Sequence, residues 1–349
     1  MRRNIQLLIG LAVSLLAFIL AFRGANLAEV AGALRKANYF ALIPGILLMW
    51  LGLYLRALSW RVILGGRVPY WRVFDALNEG YLLNNLLPFR LGELGRAYLI
   101  SRHSHLTAWQ ALSSILVERI VDLVMAVAML FAFLPLVAGL DWTRGAAVSA
   151  VALGAVGIVT LVLMARNGER LSHIAAGLLR RVPGQPLNPE RWQQRIESFL
   201  AGLSVLRDPR RALQAAFWSG MAWVAAGLGA WAILRAFLPA ATATMGFVTL
   251  TLVALGAAVP SAPGSAGVFE LVIVQTLTVV FGVERNLALS YALVLHAANI
   301  LMVTIMGAIA LAREGETLTD LASKARGMLS KNQPADAPLS VPDAAAPKQ

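Results

Sequence analysis

The chain contains no cysteine among its 349 residues. That excludes disulfides, iron–sulfur clusters and cysteine nucleophiles, and leaves the redox compartment open. Charge is also scarce: 14% of residues are Asp, Glu, Lys or Arg, where an average soluble domain has roughly a quarter. Acids are the scarcer sign, 18 against 30 basic residues. Apolar residues fill the difference, at 58% of the chain with a mean hydropathy of +0.69. Long apolar runs recur, and about 18 to 20 residues at about 1.5 Å each cross the roughly 30 Å hydrocarbon core. These features describe a polytopic membrane protein.

A net charge of +12 would point to nucleic acid in a soluble protein. Here the arginines crowd the loops between apolar runs, which reads as membrane topology first and contact with anionic lipid second. No nucleic-acid partner is expected. Arginine far outnumbers lysine in an Ala- and Gly-rich chain, which suggests a GC-rich bacterial source and hence the bacterial inner membrane.

Full spans are predicted at Ile5–Phe22, Tyr39–Leu64, within 107–138, within 145–165, at 212–237 and at 288–312. Asn26 and Glu29 form a candidate capping box for a short helix after the first span. Residues 73–105 do not span cleanly, because Asp75, Asn78, Glu79, Asn84 and Asn85 interrupt the run before Pro88. Polar backbone at membrane depth is tolerated only where protein or a wet cavity surrounds it, so a re-entrant hairpin is expected. Residues 242–282 are apolar but broken at 260–267, and read as a second hairpin or as two spans. The expected fold is therefore all-α, with about six full transmembrane helices and two oppositely oriented re-entrant hairpins in an inverted-repeat-like arrangement.

Residues 166–211 carry nine arginines and four acids. Trp192, Ile196, Phe199, Leu200, Leu203 and Leu206 fall at helical spacing there, as in a basic helix lying on the membrane surface or a small helical subdomain. The transmembrane domain is set at 1–312 and a mostly disordered tail at 313–349. The positive-inside rule puts both termini and the 166–211 loop in the cytoplasm.

The two broken segments look alike. One reads Asn84-Asn85-Leu86-Leu87-Pro88-Phe89-Arg90-Leu91-Gly92-Glu93; the other runs from Pro260 through Pro263, Gly264 and Gly267 to Glu270. In each, an apolar stretch stops at proline, and glycine and glutamate open the next helix. Matching interrupted segments in two halves point to a transporter's central site, where half-helix N-termini suit an anionic head group. Arg90 and Arg96 would add charge-assisted donors for phosphate. The competing reading makes these tight turns with snorkelling arginines.

Glu118, Arg119 and Asp122 sit in the third apolar segment, with Arg119 able to reach Asp122 at i,i+3. They read as an intramembrane ion cluster, or as interfacial charges if Leu123–Leu140 spans alone. Glu270 lacks a sequence-near partner; it could take up a coupling proton or cap its own helix. His296 and Asn299, one turn apart in the last span, could bond a partner helix or line a cavity. His103-Ser104-His105 lacks a third ligand, so no metal is expected, and no cofactor. The ATP-binding G-x-x-x-x-G-K-[ST], H-E-x-x-H and G-x-S-x-G are all missing, and no nucleophile–base pair is legible. An enzyme is therefore not expected.

On Asn84-x-x-x-Pro88-x-Arg90-x-Gly92-Glu93-x-x-Arg96, Glu118-Arg119-x-x-Asp122 and Pro260-x-x-Pro263-Gly264-x-x-Gly267-x-x-Glu270, the chain resembles the transmembrane region of lysylphosphatidylglycerol synthases. This is the flippase-like family that includes the lipid-translocating half of the multiple peptide resistance factor. The resemblance covers roughly residues 5–312 and implies a protein that moves a lipid between leaflets. Two-domain members add a soluble C-terminal synthase domain; the short tail here leads to the expectation of a stand-alone translocator. The resemblance leaves the lipid open, since similar proteins have been associated with hopanoids and polyprenyl-linked sugars. The expected partner is a membrane lipid with an anionic head group, and apolar helix faces would suit a homo-oligomer. The alternatives are a small-solute transporter, a scaffold of a lipid pathway and a membrane-embedded lipid-modifying enzyme.

Overall fold

The computed structural model describes residues 2–87, 91–133, 189–257, 259 and 261–315, with parts of 149–174 and 317–323. All regular structure among these residues is helical. In chain order the helices are α1 (Arg2–Phe22), α2 (Leu27–Lys36), α3 (Leu42–Ile63), α4 (Tyr70–Leu86), α5 (Gly92–Arg102), α6 (Ala108–Phe133), α7 (Pro189–Gly202), α8 (Pro209–Arg235), α9 (Ala243–Gly256), α10 (Val268–Gln275) and α11 (Arg285–Glu314). The chain continues from α10 through a π-helical turn, Thr276–Val280. Among the described residues four segments are long and apolar enough to cross a membrane, or five if the α1–α2 pair, bent by 79°, is one span. The expected third span coincides with α6, which is long enough but, with Glu118, Arg119 and Asp122 in it, is not among those segments; the expected fourth lies partly outside the described residues, with described positions between 155 and 166 helical.

Local sequence explains the helix ends. Asp208 caps α8 by accepting from the Arg210 and Arg211 N–H groups, with Pro209 at the first helical position. Glu284 does the same for α11, and Gly315 ends that helix at φ 66°. At α2, Asn26 accepts from the Ala28 N–H as expected, but Glu29 does not return a bond to the Asn26 backbone. Instead Asn286 of α11 takes the Asn26 N–H and donates its own amide to Glu29. The capping box is replaced by a tertiary clasp.

Helix α11 serves as a ruler through the bundle. Let its N-terminal end be the upper end and its C-terminal end the lower. Helix α4 runs antiparallel to it, with Asp75 paired to Arg313 at 3.3 Å and Leu82 against Gly307. Gly264 lies between the Asn85 carbonyl and the Ile300 side chain, 3.9 and 4.0 Å from where its Cβ would stand. Ile300 is half-way along α11, about 22 Å from either end. Helices α4 and α5 thus rise from the lower end to mid-depth and return, as a re-entrant hairpin does. From the upper end, α9 covers 14 residues, about 21 Å, before the chain breaks. It then turns back through α10, which places Glu270 beside His296 and returns to the start of α11. So 242–282 forms a second hairpin rather than two spans, although Pro263–Val280 alone has the length and composition of a span. The two hairpins enter from opposite ends and meet.

Around them, α3 and α8 cross closely through small residues. A Cβ on Gly45 would stand 3.1 Å from the Gly229 carbonyl oxygen, and one on Gly52 would stand 3.2 Å from that of Ala222. Small residues let backbones approach where lipid supplies no hydrophobic drive to pack helices together. The expected surface helix exists as α7, but its apolar stripe packs on protein: Leu200 and Leu203 are buried, and Gly202 presses against Ser113 and Gln110 of α6.

Candidate functional site

The first hairpin is closed by glycine. A Cβ on Gly92 would meet the Gly80 carbonyl oxygen at 1.8 Å, so α4 and α5 touch backbone to backbone. Asn84 then turns its side-chain oxygen onto the Gly92 N–H at 2.9 Å, answering an unpaired donor at the start of α5. Pro88 and Arg90, between them in sequence, lie outside the described residues.

The close approach places Arg96 in the interior. It is fully buried, lies over the Trp60 ring at 3.9 Å, and bonds the Glu118 carboxylate at 2.5 Å. Glu118 also faces Arg119 at 2.8 Å and Arg56 at 3.6 Å. One turn on, Asp122 meets Arg56 at 2.5 Å, Arg119 at 3.5 Å and the Trp223 indole N–H at 3.3 Å. Glu93 closes the set, 3.7 Å from Arg119. Three guanidinium groups from α3, α5 and α6 therefore face three carboxylates, and the cluster is neutral overall. That balance is what lets charges persist where unpaired ones would cost several kcal/mol each, by order of magnitude. Glu118, Arg119 and Asp122 are paired within protein, against α3 and α5. Arg96, expected as a phosphate donor, has its guanidinium on Glu118 and under Trp60.

A cavity of about 560 Å³ opens directly above this cluster. Its floor is Arg56, Arg119 and Asp122; Asn84 and Asn85 line it from the first hairpin, Ala257 and Phe269 from the second, and Asn299 from α11. Most of the remaining wall is Leu, Val, Ala and Met of α3, α8, α9 and α11. Three buried polar atoms on lining residues have no hydrogen-bond partner: Asn85 Nδ2, Thr249 Oγ1 and Arg119 Nε, the last facing Glu93 at 3.7 Å. Buried polar groups are almost always satisfied, so open ones around a cavity suit a polar guest or water. Arg56, Trp223 and Tyr81 also line it and were not expected there. Arg56 carried a usable signal, since it lies inside the apolar run 39–64 and not beyond its end.

The second break is held by different chemistry. Pro260 lies outside the described residues. Pro263 and Gly264 form a short turn, and Gly267 adopts φ 84° with its backbone pressed against Ser14 of α1. Ser14 accepts from the Ala262 N–H at 2.7 Å. Glu270 does cap its own helix, through the Gly267 N–H at 2.8 Å, but it also has a partner: His296 Nδ1 at 2.5 Å. His296 therefore makes the helix–helix contact, while Asn299 lines the cavity. At the lower end, His103 faces Glu314 at 3.2 Å beside the buried Asp75 and Glu79. Among the described residues no cluster of His, Asp or Glu is arranged to hold a metal ion.

Residues 7–307 match the family described as lysylphosphatidylglycerol synthase TM region. No curated protein and no solved structure matches the chain.

Proposed function

Because the chain belongs to the lysylphosphatidylglycerol synthase transmembrane-region family, a family of multi-pass membrane proteins, we propose that it moves a lipid between leaflets without ATP. The head group would occupy the cavity between the hairpin tips while the acyl chains stay among lipid. The observation that carries this reading is the cavity itself: a charged floor with open donors under an apolar wall, at the depth where two opposed hairpins meet. Its volume is within the range of about 300 to 1,000 Å³ usual for small-molecule sites. An anionic or zwitterionic head group could accept from Arg119 Nε and Asn85 Nδ2, with Arg56 adding positive potential. Arginines gather at the lower end, among them Arg61, Arg67, Arg72 and Arg102, which under the positive-inside rule supports a cytoplasmic reading of that end.

The test is reconstitution in liposomes with a fluorescent phospholipid, followed by dithionite quenching. Wild-type protein is expected to expose probe beyond the outer-leaflet half, and Arg119→Gln or Arg90→Ala to return it to half while the protein still folds and inserts. Quenching equal to that of empty liposomes across several head groups would overturn the reading.

A further inference from the structure

His296 sits between two oxygen atoms that need hydrogens from it. Its Nε2 lies 2.9 Å from the Gly264 carbonyl oxygen, which can only accept. Its Nδ1 lies 2.5 Å from Glu270 Oε1. The other Glu270 oxygen is committed to the Gly267 N–H. Both ring contacts therefore require a hydrogen: one on Nε2, and one shared between Nδ1 and the carboxylate. The closed arrangement holds two protons whether the pair is written as imidazolium and carboxylate or as imidazole and carboxylic acid.

We propose that Glu270 and His296 form a proton-binding site that latches the break of the second hairpin to α11, and that loss of one proton frees the Pro263–Ser265 turn. The proton lost goes to water. The one remaining stays between Nδ1 and Oε1, where the negative carboxylate holds it. Nε2 then turns a lone pair toward the Gly264 oxygen, and attraction becomes repulsion. The turn is prepared to move, since Gly264, Ser265 and Gly267 all have positive φ and Ser265 pays a steric penalty for it.

Charged residues are few on the elements packed around this pair. Helix α9 has no charged residue, α1 has none after Arg3, and α11 has none between Arg285 and Arg313. The nearest charge of α4 along the chain is Glu79, six residues before Asn85. The Phe269 ring stacks on His296 at 4.3 Å, and Arg56, Arg119 and Asp122 face the same cavity that Phe269 and Asn299 line. Because Gly264 abuts Asn85, freeing the turn changes the wall between the two hairpins. As a coupling device the latch rests on the translocation reading; as a proton site it does not.

The absence of cysteine makes the test clean. Ser265→Cys puts a single thiol on the turn, and its maleimide labelling rate is followed from pH 5.5 to 9 in lipid nanodiscs. Rates are divided by those of the same thiol with Glu270→Gln, which cancels the thiol's own titration. That amide can accept from Gly267 and donate to Nδ1, leaving Nε2–H on Gly264, so it mimics the protonated latch at every pH. The ratio is expected to rise about tenfold per pH unit while the pair titrates, as release of one proton requires. With His296→Ala, labelling should be fast and the ratio flat. A wild-type ratio constant over the whole range would overturn the latch, even if His296→Ala fails to fold. Lipid movement plays no part in this readout. A titrating latch in a protein that moves no lipid would overturn the translocation reading alone; lipid movement with a flat ratio would overturn the latch alone.

Discussion

The two hairpins begin from similar sequence, an apolar run stopped by proline and restarted by glycine and glutamate, yet they are held by opposite means. The first is closed backbone to backbone at Gly80 and Gly92 and anchored by Arg96 in a neutral six-charge cluster. The second has a long, irregular break tied by single hydrogen bonds from Ser14, Glu270 and His296. A charge cluster in which Glu118, Arg119, Asp122 and Arg56 each have at least two partners holds its shape when one contact loosens. A turn held by a few separate hydrogen bonds does not. The comparison assigns the first hairpin to the fixed floor of the cavity and the second to the part that can move.

The comparison can be broken most forcefully at Arg96. Arg96→Ala leaves Glu118 buried without its closest partner and is expected to destabilise the detergent-solubilised protein by about 3–5 kcal/mol, read by thermal unfolding. Replacing both members, Arg96→Met with Glu118→Leu, leaves Arg56 and Arg119 facing Glu93 and Asp122, and should recover most of that loss. A double variant as unstable as the single one would show that the pair is more than mutually compensating. Next in size is Gly92→Ala, where a methyl group has no room against the Gly80 oxygen. Overpacking of this kind costs about 1–3 kcal/mol. At the second hairpin, Gly264→Ala meets no atom closer than 3.9 Å, so only the left-handed backbone is penalised, by about 1–2 kcal/mol. If Gly264→Ala proved the costlier of the two, the rigid and mobile assignments would have to be exchanged. As the smallest effect, Asp208→Ala removes the cap of α8 away from both hairpins and should cost about 1 kcal/mol, with no change in the pH dependence of labelling at Ser265→Cys.

Much of this was legible in the chain itself because hydropathy and helix breaking are local properties. The hairpin over 73–105 followed from five polar residues in a run too short to span, and the broken 242–282 segment followed from proline and glycine. The reach of Arg119 to Asp122 followed from helical spacing alone. Arg96 was read as a free donor because its sequence neighbours give no sign of Glu118, 22 residues away, or of Trp60 over its face. Glu270 looked solitary because its partner is 26 residues further on, on another helix. Sequence leaves the α7 stripe open between the membrane surface and a small helical subdomain, because periodicity marks an apolar face without naming what covers it.

The sequence by itself therefore determined a polytopic helical bundle, the places where its helices break, and the stock of charges carried into it. Only the tertiary structure decided which of those charges neutralise one another. It also decided that both breaks meet at the middle of α11 and that a cavity is left between them. The physical reason is range. Span length, breaks and caps depend on residues within a turn or two of each other. Pairing a buried charge depends on which helix faces arrive at the same depth, and here Arg56 finds Asp122 across 66 residues of chain.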